Sequence, residues 1–340
     1  MKPASRAQIS AYFSQIARIN GVTNVSQSFN VTPSVQQTLE TKIQESSAFL
    51  RLVNFYTVDE LQGQKIGMGV ASSIAGRTDT ETNERQPRSV GSMDAKNFQL
   101  YKTDYDTFIK FAQIDQWAKF KDFQNRMRDL VINQIALDRI KIAFNGRTAA
   151  AETNPVTNPM LEDVNIGWLQ QYRNNAPARV MHEVRAGSKV VKVGQDIGEA
   201  DGYRNLAALV FDAINSMVHP AFRKDPRIRV ILGADLSNAY LTSLLNRKQD
   251  LSEQKIAEDM VNNNHIALRE AIDAPFVPDG TMLITMPQNL SIYTQEGSMR
   301  RHVIENPKRD RIEDYRSANE GFVVEQYEAG CVVENIQLVG

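Results

Sequence analysis

Between Ala71 and Asn97 the chain runs 27 residues with only Ile74, Val90 and Met93 as large apolar side chains. Gly76, Pro87 and Gly91 punctuate it, and Arg77, Asp79, Glu81, Glu84, Arg85, Arg88 and Asp94 give it charge of both signs. A polar loop that long is uncommon inside a compact domain, so the stretch is functional, disordered or ordered by another chain. Extended patterns flank it, over residues 65–70 and again over 98–111. The combination predicts a long two-stranded finger with a polar tip. An isolated hairpin is barely stable in water, so the finger needs outside support.

Past the finger, Asp115 offers an N-cap, and residues 116–144 carry no Gly or Pro before Asn145-Gly146. Trp117, Phe120, Phe123, Met127, Leu130, Val131, Ile135, Ile140 and Phe144 make a broad helical stripe. This spacing predicts one helix of roughly 29 residues, about 44 Å long, packed on a sheet. Another helical pattern covers residues 34–53 through Val35, Leu39, Ile43 and Leu50, followed by a strand over 54–58. A Pro-containing linker to Pro159 introduces an α/β texture over 160–287, with helices at 166–175, 205–217 and 236–245 and a strand at 229–233. Residues 274–285 read as strands around a Pro278-Asp279-Gly280 turn, and further strands follow at 290–293, 322–327 and 331–333.

At 340 residues the chain exceeds one ordinary core, so two or more lobes are expected. Its 39 Lys+Arg against 40 Asp+Glu exclude binding that rests mainly on phosphate neutralisation. No apolar run approaches a spanning helix, so no membrane partner is expected. The single cysteine, Cys331, forbids an internal disulfide and a cysteine-based zinc cage, and points to a reducing compartment.

No acidic residue precedes Glu40, while Lys2, Arg6 and Arg18 are basic. Ile9, Phe13, Ile16 and Ile19 recur at helical spacing before Gly21, predicting a short amphipathic helix over 5–20. Three readings fit: an organelle transit peptide, a small helix docked on the body, or a detachable segment that binds a partner. Periodicity does not choose among them.

A search for chemistry finds little. Gly63, Gly67 and Gly69 lack a glycine at Ser72 and lead into a polar loop, so no dinucleotide fingerprint stands, and no phosphate-cradling loop exists. His182, His219, His265 and His302 lie 37 to 46 residues apart with no metal-ligand spacing. Cys331 sits in an apolar strand pattern and reads as a small buried hydrophobe. Residues 300–320 hold six positive and five negative side chains, which suits a solvated face or a surface paired with a neighbour. No catalytic residue, cofactor or metal is therefore expected. The alternatives kept open are a soluble enzyme with a site in the 160–287 lobe and an oligomeric adaptor.

The stretches QESSAFL (44–50), ERQPR (84–88), NPML (158–161), GWLQQYRNNAPARVM (167–181), NLSIY (289–293), RRHVIENPKRDRIEDY (300–315) and VVEQYEAGCVVENI (323–336) closely resemble the major capsid proteins of Peduovirus-type contractile-tailed phages. The resemblance runs nearly end to end. It implies an α+β chain with the Hong Kong ninety-seven-type capsid fold. Its parts would be a basic amphipathic N-terminal segment at 1–31, read as a cleavable prosegment, an N-terminal arm at 32–56 and an extended β-hairpin loop at 57–105. A peripheral domain with a long spine helix would follow at 106–155, an axial domain at 156–287, and returning peripheral strands with the C-terminal end at 288–340.

The resemblance also implies pentamers and hexamers of the chain in an icosahedral head around double-stranded DNA, touched loosely. A scaffolding protein, a protease and a portal protein are the other implied partners. The chain would pass from host cytoplasm into the virion, with cleavage near Phe29 to Pro33. Expected inter-subunit contacts are Arg77, Glu84, Arg85, Arg88, Arg300, Arg301, Glu305, Arg309, Arg311 and Glu313.

Overall fold

The computed structural model describes residues 3–65, 75–87, 97–117, 122–194, 197–198, 201–245 and 265–339. Its larger sheet is organised by one 14-residue strand, Arg311–Val324. Along one edge run Leu290–Gln295 and Arg300–Asn306, both antiparallel to it, with the turn at 296–299 as an excursion between them. Along the other edge run Tyr101–Asp104 and Thr107–Lys110, with Ser317 opposite Asp104 and Arg311 opposite Lys110. Six residues separate the pairs on both strands, so one register runs through both short segments. The outer edge of the 290–306 ribbon is covered by Asn54–Val58, parallel, and by Phe29–Asn30, antiparallel.

The second body is a six-stranded sheet in the order His265–Ile266, Arg269–Asp273, Arg229–Leu232, Met282–Thr285, Cys331–Val333, Val180–Met181. Beside it, Ile336–Leu338, Val191–Val193 and Gly202–Tyr203 form a smaller parallel sheet. Helix Leu206–Met217 lays Leu209, Val210 and Ala213 against this body, and Asn205 caps it by accepting the Ala208 N–H. Cys331 is fully buried, and burial pushes its thiol up to about 12, which keeps it an unreactive thiol at neutral pH.

The two bodies share a core centred on Trp168, whose ring meets Phe144 at 5.6 Å and Phe322 at 6.1 Å, both edge-on. Its indole N–H donates to Ser291 O at 3.2 Å, so the buried polar atom is satisfied. The chain reaches this position only because Gly146 and Gly167 touch: the Gly167 N–H donates to Gly146 O at 3.0 Å. A Cβ on Gly167 would lie 2.3 Å from Ile142 O.

Of the helix predicted over 116–144, the described residues show Phe111–Trp117 and Phe123–Asn145, the second of 23 residues and about 35 Å, and residues 118–121 lie outside them. Asp115 lies inside the first and is not a cap; Phe120 falls outside the described residues. Ile114 of the first helix joins a cluster with Ile9, Val303 and Ile312, and Val131, Ile135, Ile140 and Phe144 of the second face the core around Trp168. The pattern over 34–53 forms helix Pro33–Ser46 and a separate 3-10 turn, Leu50–Leu52. Ser46 Oγ donates to Ile43 O, and the Arg51 guanidinium donates twice to Glu45 O, so side chains satisfy the carbonyls that a continuing helix would have used.

The N-terminal helix, Pro3–Asn20, docks through Ile9 and Ile16. Of the finger, the described root pairs Gln62–Gln64 with Asn97–Gln99 antiparallel, and Phe98 packs edge-on to Tyr293 at 5.2 Å. Residues 66–70, expected as a strand, lie outside the described residues. Residues 75–87 carry no strand and are exposed throughout.

Candidate functional site

Asp79 organises the described part of the finger tip: its carboxylate accepts the Glu81 N–H at 3.1 Å and its carbonyl the Asn83 N–H at 3.0 Å. Among the described residues, Arg77, Glu84 and Arg85 have no ion-pair partner. Arg88 lies outside them.

The charge tract at 300–320 is not a solvated face. It forms a hairpin whose charges largely meet one another. Arg301 and Arg316 share Asp314, each at 2.7 Å, and Arg301 also donates to Tyr12 Oη at 3.0 Å. Burial works against the Asp314 carboxylate, but the two guanidinium groups outweigh it and pull its pKa down to about 2. Arg311 pairs with Glu313 at 2.6 Å and lies over the Phe108 ring at 4.5 Å. Hydrogen bonds from Tyr315 and Arg311 hold the Glu313 carboxyl below the usual range. Glu305 takes Arg6 of the N-terminal helix at 2.7 Å. Arg300 and Arg309 are exposed and have no such partner among the described residues.

The N-terminal segment follows the edge of this hairpin. Val303 N–H donates to Val25 O at 2.9 Å and Val31 N–H to Met299 O at 2.8 Å, with Phe29 opposite Arg301. The window 29–33 is therefore an edge strand leading into a helix.

Sequence reasoning missed a deeply buried guanidinium. Arg139, 1% exposed on the long helix, donates Nη1 and Nη2 to Glu40 at 2.5 and 3.0 Å and Nε to Glu320 at 3.0 Å. Tyr105 donates its hydroxyl to the other oxygen of Glu320, and burial together with that carboxylate raises the Tyr105 pKa well above its ordinary value. Burial disfavours the Arg139 charge, yet Glu40 and Glu320 outweigh it, and its pKa is raised as well. Four elements meet here: the 33–46 helix, the 123–145 helix, the central strand and the turn after residue 104. A signal existed. Arg139 shares a helical face with Ala136, Ile140 and Ala143, all buried, and Glu40 lies between buried Gln36 and Ile43 on its own helix.

No cluster of His, Cys, Asp or Glu among the described residues has the grouping to hold a metal ion. None of the described helices is long and apolar enough to cross a membrane. This arrangement has interlocked charges, an exposed finger and an edge-laid N-terminal segment, and it resembles known assemblies. The chain is 41% identical to the capsid protein of Escherichia phage P2, over 99% of this chain and 96% of that one. It is 33% identical to the major capsid protein of Serratia phage KSP20, over 99% and 97%.

A chain of the satellite phage P4 procapsid, a structure that includes the size determination (Sid) protein, superposes with a TM-score of 0.82 at 39% identity, covering 100% of this chain and 99% of that one. A chain from the capsid of an empty GTA particle, at 12% identity, shares the fold with a TM-score of 0.50 over 86% of this chain and 90% of its own. These likenesses give the α+β fold of tailed-phage capsids and a structural role in an icosahedral phage capsid. The model of the phage major capsid protein P2 family matches residues 8–336, and the chain belongs to that family.

Proposed function

We propose that this phage capsid protein assembles as pentamers and hexamers into an icosahedral head that encloses double-stranded DNA, guided by an internal scaffolding protein and a portal. The observation that carries this reading is the finger tip. Arg77, Glu84 and Arg85 are exposed with no ion-pair partner among the described residues, while the charges of the 300–320 hairpin largely meet one another. Such a tip is suited to gain partners from a neighbouring subunit. In the same reading, residues 57–105 are the extended loop, 106–155 the peripheral domain and 156–287 the axial domain. Residues 32–56 are the arm. The near-balance of 39 basic and 40 acidic residues suits an inner face that touches DNA loosely.

Residues 1–31 are a prosegment released by a protease near Phe29 to Pro33. Proteases take extended chain, and Phe29–Asn30 is already extended, but it pairs with Arg300 and Arg301 and must peel off the edge first. Intact mass of chains from mature particles tests the trimming, and a full-length chain there would end it. The shell reading is tested by electron microscopy of cells that co-express the chain with its scaffolding protein. Closed particles of uniform diameter are expected. Soluble subunits without particles, beside a working scaffold, would overturn it.

A further inference from the structure

Where the N-terminal helix, the 33–46 helix and the long helix converge over the hairpin, they leave a groove enclosing about 300 Å³. Its floor is apolar: Ile16, Val35, Leu39, Ile132 and Met299 line it, and Ile19 stands half-exposed at the lip. Its charge is of one sign. Lys42, Arg128 and Arg300 sit at the rim and Arg301 and Arg316 at the base, and no acidic side chain lines it. Arg301 and Arg316 divide one carboxylate, Asp314, between them, and Arg128 has Asp129. Lys42 and Arg300 are exposed and have no acidic partner among the described residues. Asn20 also lines the groove, and its buried side-chain oxygen has no donor.

We infer that this groove is a docking site for an acidic amphipathic helix of a partner protein. An apolar stripe would cover the floor, flanking Glu or Asp side chains would meet Lys42 and Arg300, and a side-chain amide or hydroxyl would satisfy Asn20. The apolar floor decides between this occupant and a nucleic-acid backbone. Phosphates would gain from the cations but would leave the partly exposed Val35 and Leu39 and the half-exposed Ile19 facing water, whereas a helix pairs both features at once. One wall is the N-terminal helix, so the site exists only while residues 12–20 stay docked.

The test uses the full-length chain and a fluorescent 18-residue peptide with Leu at every third and fourth position and Glu elsewhere. Anisotropy at physiological salt should show saturable binding, absent for a scrambled peptide of equal composition. The double variant K42E/R300E should weaken binding roughly tenfold or more, since two attractions become repulsions. K192E/R204E, with the same change of charge at two exposed cations outside the groove, should leave it unchanged. Equal loss in both double variants, no saturable binding, or displacement of the peptide by duplex DNA at comparable concentration would each overturn the site. A photo-reactive peptide on the unaltered chain gives a reading independent of variant folding. Cross-links should map to Ile19, Lys42 or Arg300, and mapping elsewhere would refute the proposal.

Discussion

Replacing Arg139 with Met tests whether the buried charge cluster holds the arm helix to the sheet. Met fills similar volume but takes away every donor that Glu40 has among the described residues, at 2.5 and 3.0 Å, and one of the two that Glu320 has. Glu320 is wholly buried and Glu40 is 7% exposed, so water does not replace the lost donors cheaply. Removing one partner of a buried ion pair costs about 3–5 kcal/mol, and that range is expected for Arg139→Met. Glu40→Gln keeps an oxygen facing the guanidinium and leaves the Glu320 bond intact, so about 1.5–3 kcal/mol is expected, one charged hydrogen bond. Because Glu40→Gln also removes the charge that Arg139→Met strands, the double variant should cost less than the sum of the singles by about 1–2 kcal/mol. The assay is urea unfolding of unassembled subunits followed by fluorescence, since fully buried Trp168 reports loss of the shared core. Midpoints should move at constant slope. Strict additivity, or a loss below about 1 kcal/mol for Arg139→Met, would refute the pairing.

Asp314, with its pKa pulled to about 2 by Arg316 and Arg301 against the cost of burial, contributes stability fully present above its ordinary pKa of 3.8 and lost as pH falls through 2. The contribution is about 2 kcal/mol. Asp314→Asn should therefore lower stability at neutral pH by that order and flatten the acid limb between pH 4 and 2; an unchanged limb in urea titrations would refute it. Gly167→Ala drives a Cβ to 2.3 and 2.5 Å from the Ile142 and Ala143 carbonyl oxygens, backbone atoms at a helix end that cannot step aside. A loss of about 3 kcal/mol is expected, and an unmoved urea midpoint would contradict the close approach. Subunits lacking residues 77–88 should keep the unfolding midpoint of the intact chain yet close no shells, and normal particles in electron micrographs would count against the finger's role.

Elements whose signal is local were legible. The helices Leu206–Met217 and Ala234–Leu245 and the strands Asn54–Val58, Arg229–Leu232 and Cys331–Val333 follow from spacing and bounding residues alone. The resemblance in stretches such as GWLQQYRNNAPARVM carried the family, and composition did not. What was illegible depended on distant chain. The pattern over 116–144 does not show that Ile114 joins Ile9, Val303 and Ile312 while Val131 faces the Trp168 core. Arg139 reads as a solvated helix charge until Glu40, 99 residues before it, and Glu320, 181 after it, arrive on the same face. Even then, its position in an otherwise apolar stripe was the clue that one charge on that helix had to be buried.

The same logic separates charges that belong to the subunit from those left for assembly. In the sequence the 300–320 tract is nearly neutral, six positive against five negative. Folding consumes it unevenly. Glu320 goes inward to Arg139, Glu305 goes to Arg6, Glu313 to Arg311, and Asp314 is divided between two arginines. Arg300, Lys308 and Arg309 remain exposed without an ion-pair partner among the described residues, against the single exposed acid of the tract, Asp310, so a neutral tract presents a basic surface. Surface charge pairs steer recognition more than they stabilise folds, so these unspent cations, together with Arg77 and Arg85 on the finger, are where complementary acidic surfaces should be sought. Charge density along the chain points at the hairpin as a whole, whereas the charge left over after folding lies at Arg300, Lys308 and Arg309.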